Sequence, residues 1–344
     1  ATQIKSLTNT QIAGLEAPDV AKFGTTQIAL LSIAQVGALT TTGIADLAAT
    51  QIRAFATTQL NAMSSTNVNA LTETQFAALT STQITGLSTT QASILSATNI
   101  AAMTTTQAGA LTATQLGRLT SEALIAFDAT QFAAFSATQV RALTTTQIGN
   151  LEAADIAEFT TTQIAGLATT QVRGLTETAV AALAATQIAA LTVPQIQSLS
   201  TTSLVGFADT QIGALTTTQI GGLLAPQVSA FGATTVAALT ATQISAMSAT
   251  QIAALGATNF AALDTTQIGA LTATQMRSLT TSQIASIDAG QVSSFTTTQL
   301  TQLSGTQLKS LSTGNLSALD TTQMASLTAS QVASLSTTQI AAIE

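Results

Sequence analysis

The sequence predicts an all-α solenoid of very short capped helices, with about 27 residues, or three to four octads, per turn. Three observations predict it: an eight-residue period that never slips, apolar residues three apart within each period, and a helix-start signal where one period meets the next. The 344 residues divide into 43 octads without remainder, from Ala-Thr-Gln-Ile-Lys-Ser-Leu-Thr at residue 1 to Thr-Thr-Gln-Ile-Ala-Ala-Ile-Glu ending at Glu344. Length alone would suggest two domains, but self-similarity outranks length, and residues 1–344 read as one continuous array.

Position four of the octad is apolar throughout (Ile4, Ile12, Val20, Ile28 and onward), and so is position seven (Leu7, Leu15, Phe23, Leu31). All eleven Phe and all five Met fall on these two positions. In a helix, residues three apart share a face; in a strand they point to opposite faces. The spacing therefore favours a helical turn. One continuous helix fails, because eight residues at about 100° each drift by roughly 80° per octad and the apolar stripe would circle the axis. Each helix must be short and must break once per repeat. A β-solenoid with Thr and Gln ladders is the alternative architecture.

The break is written at position eight, mostly Thr, Ser or Asp, the residues preferred at helix N-caps. Position three of the next octad is Gln in 32 of 43 octads. Thr8-Asn9-Thr10-Gln11 is thus a capping-box pattern, and Leu7 with Ile12 stands where the two residues of a hydrophobic staple belong. The Gln column could equally be a hydrogen-bonded ladder. The three prolines, Pro18, Pro194 and Pro226, all sit at position two, in the first turn, where a missing N–H costs little. Charges sort by sign. Thirteen of fifteen acids lie at positions eight, one, two or three, and all eight basic residues at five or six. The helix dipole favours that order.

A second period appears in the exceptions. Gln is replaced at position three by Asp19, Gly43, Asn67, Asn99, Ala123, Asp155, Ala179, Ser203, Thr235, Asn259 and Asn315. The octad carrying Gly290 extends the series, whose mean step is about 27 residues. The exceptional octads would line up along one side of a coil, where local geometry or a lateral contact no longer favours Gln. Relic duplication of a 24- or 32-residue block is the other explanation. Phe23, Phe127, Phe159 and Phe207 fall in the same octads and would fill a wider corner of the core.

Composition excludes much chemistry within this chain. It has no Cys, His, Trp or Tyr, so no disulfide, no Cys/His zinc or haem site and no histidine-based triad can be built from it. A net charge of −7 speaks against nucleic acid as a partner. No apolar run approaches the ~18 residues of a membrane span. There is no phosphate-binding glycine loop and no calcium-loop spacing. Asp155 with Glu158, and Asp128 near Glu122, read as solvated cap and surface charges. No catalytic, cofactor-binding or metal-ligating residue is nominated, no cofactor is expected, and the chain is not expected to be an enzyme.

The octad Thr-Thr-Gln-Ile-x-Ala-Leu-(Thr/Ser) resembles the degenerate Thr/Gln/Ala/Leu arrays of some very large secreted bacterial proteins of adhesin-like, surface-filament or type-I-exported kind. The resemblance covers the whole chain and implies an extracellular or cell-surface structural or adhesive role. It carries over no functional residue, and the calcium-binding nonapeptides of exported repeat proteins are absent. The expected function is a structural rod, filament or adhesin stalk. Its ends, in phase with the repeat, are expected to continue a longer array or filament, with self-association end to end or laterally. The alternative is a Thr-rich binding surface for ice, polysaccharide or another lattice.

Overall fold

Each octad forms one helix of four to six residues, from α1 (Thr2–Lys5) to α43 (Thr337–Ala341), so that helix αn lies in the nth octad. The structure, a computed structural model, describes residues 2–343, and among them there is no strand. The alternative cross-β coil is thereby overturned. The physical reason lies in the spacing of three: Ile at position four and Leu at position seven are both buried on one side of a helical turn, which a strand would split between two faces. No helix of the described residues is long and apolar enough to cross a membrane.

One octad shows why the chain folds and stops. In α19 (Thr145–Gly149) the cap residue Thr144 is extended (φ −71°, ψ 158°), and its hydroxyl accepts the Gln147 backbone N–H at 3.1 Å. The Gln147 side-chain oxygen accepts the Thr144 N–H at 2.7 Å, closing the box. The Leu151 N–H then turns back to the Ile148 carbonyl at 3.2 Å, a tight last turn that uses up the helix. The next residue, Glu152, is extended and begins the following helix. The predicted sign order also holds: Glu73, Glu122 and Glu177 lie in first turns, and Arg53, Arg141 and Arg173 in last turns.

Where position eight is Ala, only half of the box survives. Ala208 has no side-chain acceptor for the start of α27 (Asp209–Ala214), and the Gln211 N–H bonds instead to the Ala208 carbonyl at 2.9 Å. The glutamine still accepts the Ala208 N–H at 2.8 Å. Ala208 is exposed, so Ala208→Ser adds the missing acceptor without repacking. It should raise stability by about 0.5–1 kcal/mol in urea unfolding. An unchanged midpoint would show that the half box already suffices.

The described residues fall into two compact units, divided after Leu175. In each, a helix packs on the third one along the chain: α18 (Ala137–Arg141) on α21 (Thr161–Gly166) in the first, α32 (Ala249–Ala254) on α35 (Ala273–Ser278) in the second. Position four is fully enclosed over most of the array, as at Ile44, Phe132, Ile148, Ile212 and Ile284, each at 0% exposure. Burial weakens where a helix has a stacked neighbour on one side only: Leu7, Leu15 and Phe23 are half-buried, and Val332 and Ile340 are exposed. Two of the phenylalanines in exceptional octads of the first unit pack against other rings. Phe127 and Phe135 meet edge to face at 5.0 Å between centroids, and Phe132 reaches Phe159 at 5.5 Å.

Two glycines answer to space and backbone. A Cβ on Gly117 would lie 2.8 Å from the Ala142 carbonyl oxygen of the neighbouring turn. Gly256 has the one positive φ among the described residues (71°) and lets the chain pass from α32 to α33 (Gly256–Phe260) without the usual extended cap.

Candidate functional site

The feature that recurs at every turn is the amide of the position-three glutamine, and it does two jobs with its two ends. The oxygen serves the capping box of its own helix. The nitrogen reaches back to the carbonyls of the earlier turn: Gln147 Nε2 donates to the Leu116 and Leu119 oxygens at 2.9 and 2.8 Å. In the second unit Gln299 Nε2 donates to the carbonyls of Ile268, Gly269 and Leu271 at 3.0, 3.1 and 2.8 Å. The donors always sit 28, 30 or 31 residues after their acceptors, as with Gln75 and the carbonyls of Leu47, Ala45 and Ile44. The choice between cap and ladder thus resolves into both.

This places the glutamines inside the molecule rather than on its surface from Gln35 onward, whereas Gln11 in the first turn is exposed and Gln27 half-buried. Gln147 is 4% exposed, Gln283 0% and Gln331 5%. Over most of the array the outer surface is therefore left chiefly to Thr, Ser and Ala. The reason is the orphan carbonyls at each helix end, which a buried seam must satisfy. Among the described residues no buried side-chain polar atom lacks a partner. Sequence reasoning missed the donor half, although a signal was present. A capping box accepts Glu as readily as Gln, yet no octad has Glu at position three. A carboxylate can accept the cap N–H but cannot donate to a carbonyl.

The exceptional octads confirm the demand by their shorter reach. Asn67 Nδ2 contacts only the Leu39 carbonyl, at 2.7 Å, and Asn315 Nδ2 only that of Ile287, at 2.6 Å. Asp155 keeps the cap contact, accepting the Glu152 N–H at 2.8 Å, and offers no donor.

Asp155 and Glu158 are half-buried rather than freely solvated, which corrects the surface-charge expectation for that pair. Burial pushes the Asp155 carboxyl above its usual range. Burial also raises Glu158, with the nearby charges of Asp155 and Asp128 adding to it. Asp128 goes the other way, lowered by the Thr130 hydroxyl and the Gln131 backbone N–H. A raised folded value means that the folded state holds the proton more tightly. The stability contributed by Asp155 and Glu158 is therefore complete below the ordinary carboxylate range and is lost as pH rises through their folded values. Asp128 contributes above the ordinary range and loses its share as pH falls. Asp155→Asn should raise the urea midpoint at neutral pH and shrink its gain on acidification to about pH 4. A pH profile matching the parent's would contradict this assignment.

No group of three or more Asp, Glu, His or Cys side chains among the described residues is arranged to hold a metal ion. The surface depressions are shallow grooves between turns. One is lined by Leu316, Leu319, Met324 and Ile343, where the second unit's apolar core is thinly covered.

Short capped helices, an enclosed two-residue core and a buried glutamine seam define a helical tandem-repeat protein. A family model of the ALTTAQ repeat matches the chain twice, at residues 44–81 and 260–297. Within the second match the stretch from octad position six to position three reads Ala270-Leu271-Thr272-Ala273-Thr274-Gln275. No curated protein matches the chain.

Proposed function

We propose that this chain is a structural repeat protein without catalytic activity, built as a solenoid of about 27 residues per turn and serving outside the cell as a rod, filament or adhesin stalk. The observation that carries the reading is the constancy of its inter-turn offsets. Surface contacts bracket 27: Thr85 Oγ1 donates to the Ala110 carbonyl 25 residues ahead, Asn150 Nδ2 to Ser121 Oγ 29 residues behind, and the Ser96 N–H to Asn69 Oδ1 27 residues behind. The exceptional octads recur at the same mean step. A chain whose repeats stack turn on turn, with no metal-holding cluster of side chains among its described residues, is suited to bearing load and spanning distance. Electron microscopy of the native material should show filaments or long rods. Compact, monodisperse particles would overturn the proposal.

A second reading rests on the exposed threonine pairs at helix starts, such as Thr145/Thr146 on α19 and Thr169/Thr170 on α22 (Thr169–Gly174), two helices that pack together. Rows of this kind suit a repetitive lattice, such as ice or an insoluble polysaccharide. Thermal hysteresis and co-sedimentation with insoluble glycans test it. No effect in either would remove it.

A further inference from the structure

The charges of the chain obey the longer period, and they do so by sign. The eleven octads without Gln and the octad of Gly290, with the residue on either side of each, make up about a third of the chain. Every described carboxylate lies on one of these octads, on its cap, or on the first residue after it: Glu16, Asp19, Asp46, Glu73, Glu122, Asp128, Glu152, Asp155 and Glu158 in the first unit, and Glu177, Asp209, Asp264, Asp288 and Asp320 in the second. Of the eight basic residues only Lys22 falls there.

The fold turns this periodicity into a row. In the first unit α3 (Ala17–Val20) packs on α6 (Thr41–Ala45), α6 on α9 (Ser65–Asn69), and α13 (Ala97–Ala101) on α16 (Ser121–Leu124). Asn99 Nδ2 ties α13 back to the Leu71 carbonyl just after α9, at 3.3 Å. In the second unit α37 (Ala289–Ser293) packs on α40 (Thr313–Ser317), and Gln291 Nε2 bonds the Leu263 carbonyl of the earlier exceptional octad at 2.6 Å. Twelve of these fourteen carboxylate residues are exposed, and Asp155 and Glu158 are half-buried.

The cations form rows of their own elsewhere. Arg118, just after α15 (Ala113–Leu116), Arg141 on α18 and Arg173 on α22 occupy successive turns: α15 packs on α18, and Gln171 Nε2 bonds the carbonyls on either side of Arg141, those of Val140 and Leu143. Arg277 and Lys309 are likewise one turn apart, linked by Gln307 and the Met276 and Leu279 carbonyls. All eight basic side chains are exposed, yet Lys22–Asp19, at 3.1 Å, is the one ion pair among the described residues. Like charges are gathered and, apart from that pair, opposite charges are kept out of contact.

We propose that copies of this chain associate side by side, the carboxylate edge of one against the arginine and lysine rows of the next. The occupant is a second copy because rows of both signs lie on the same array, the row cations 23 or 32 residues apart and the carboxylate-bearing octads 24 or 32 residues apart. The contact is heterologous: each copy keeps a free acidic edge and a free basic row, so association propagates into a sheet or bundle rather than closing as a dimer. This deepens the structural reading above and rests on it.

The test uses the full chain and two charge-reversed forms, Glu73→Lys/Glu122→Lys/Asp209→Lys and Arg118→Glu/Arg141→Glu/Arg173→Glu. Circular dichroism confirms that each is folded, and sedimentation velocity and light scattering read assembly. The parent should associate at low salt and disperse at about 1 M salt, where screening is nearly complete. Each reversed form alone should associate about tenfold more weakly, the size expected when three exposed pairs turn repulsive. An equimolar mixture of the two should recover association, because each now complements the other. Assembly that ignores salt and both reversals would overturn the charged contact while leaving a structural role standing. A parent that stays monomeric at every salt concentration would overturn side-by-side association altogether, and microscopy of the native material then judges the structural role on its own.

Discussion

Gln147→Ala should cost about 3 kcal/mol or more in urea unfolding, and Gln147→Glu should cost at least as much at neutral pH. The alanine variant strips the Thr144 N–H and the Leu116 and Leu119 carbonyls of their shared partner at once, in a place only 4% exposed. Each buried group left without a partner costs roughly 1–3 kcal/mol. Glutamate keeps the cap contact but turns an oxygen toward two carbonyl oxygens, and its charge is buried without compensation. The loss with Glu should shrink on acidification. Its folded pKa is raised, so the penalty falls as pH drops through that value. Thr144→Ala is the control: it removes the other half of the same box, and the half box at Ala208 shows that the fold tolerates this, so the cost should be about 1 kcal/mol. Equal costs for Thr144→Ala and Gln147→Ala would mean that the bond to the earlier turn contributes nothing.

The second large effect is in the core. Leu111→Asp and Ile148→Asp each place an uncompensated carboxylate where exposure is 1% and 0%, and each should cost several kcal/mol. Because a repeat array couples chiefly to its neighbours, the damage should spread outward from the substituted octad rather than strike the whole chain equally. Hydrogen exchange would show fast amides for one turn on either side. Thr145→Ala, at an exposed first helical position, should change little. Equal tolerance at Leu111 and Thr145 would contradict the core assignment.

Much of this architecture can be read from the letters because each octad states its own rules. Ile148 and Leu151 three apart, Thr144 at the cap and Gln147 at the third helical position specify where a helix starts, which side it buries and where it ends. These are local rules, satisfied within eight residues. The nitrogen end of Gln147 escaped the same reading because its acceptors, Leu116 and Leu119, lie a full turn upstream, and the capping motif is already satisfied by the oxygen alone. The charge edge escaped for a related reason. Sorting Glu122, Asp155 or Arg141 by octad position explains their sign through the helix dipole and hides their alignment, which emerges only at the length of a turn. Asp155 and Glu158 looked solvated because burial at a stacked corner is a property of neighbouring turns.

The central claim is that the position-three glutamine amide, in most octads, joins a short helix to the turn before it. Hydrogen exchange of the glutamine side-chain amides, followed by NMR on nitrogen-labelled protein, tests it most directly. The chain carries its own controls in Gln197, which is exposed, and Gln302, which is half-buried; both lie outside position three, and their nitrogens bond the Gly222 carbonyl and the Thr301 hydroxyl rather than the seam. The position-three amides, Gln147, Gln283 and Gln299 among them, should exchange about as slowly as the core backbone N–H groups, while Gln197 and Gln302 exchange quickly. Side-chain amides at position three that exchange as fast as those two would contradict the seam and the fold built on it.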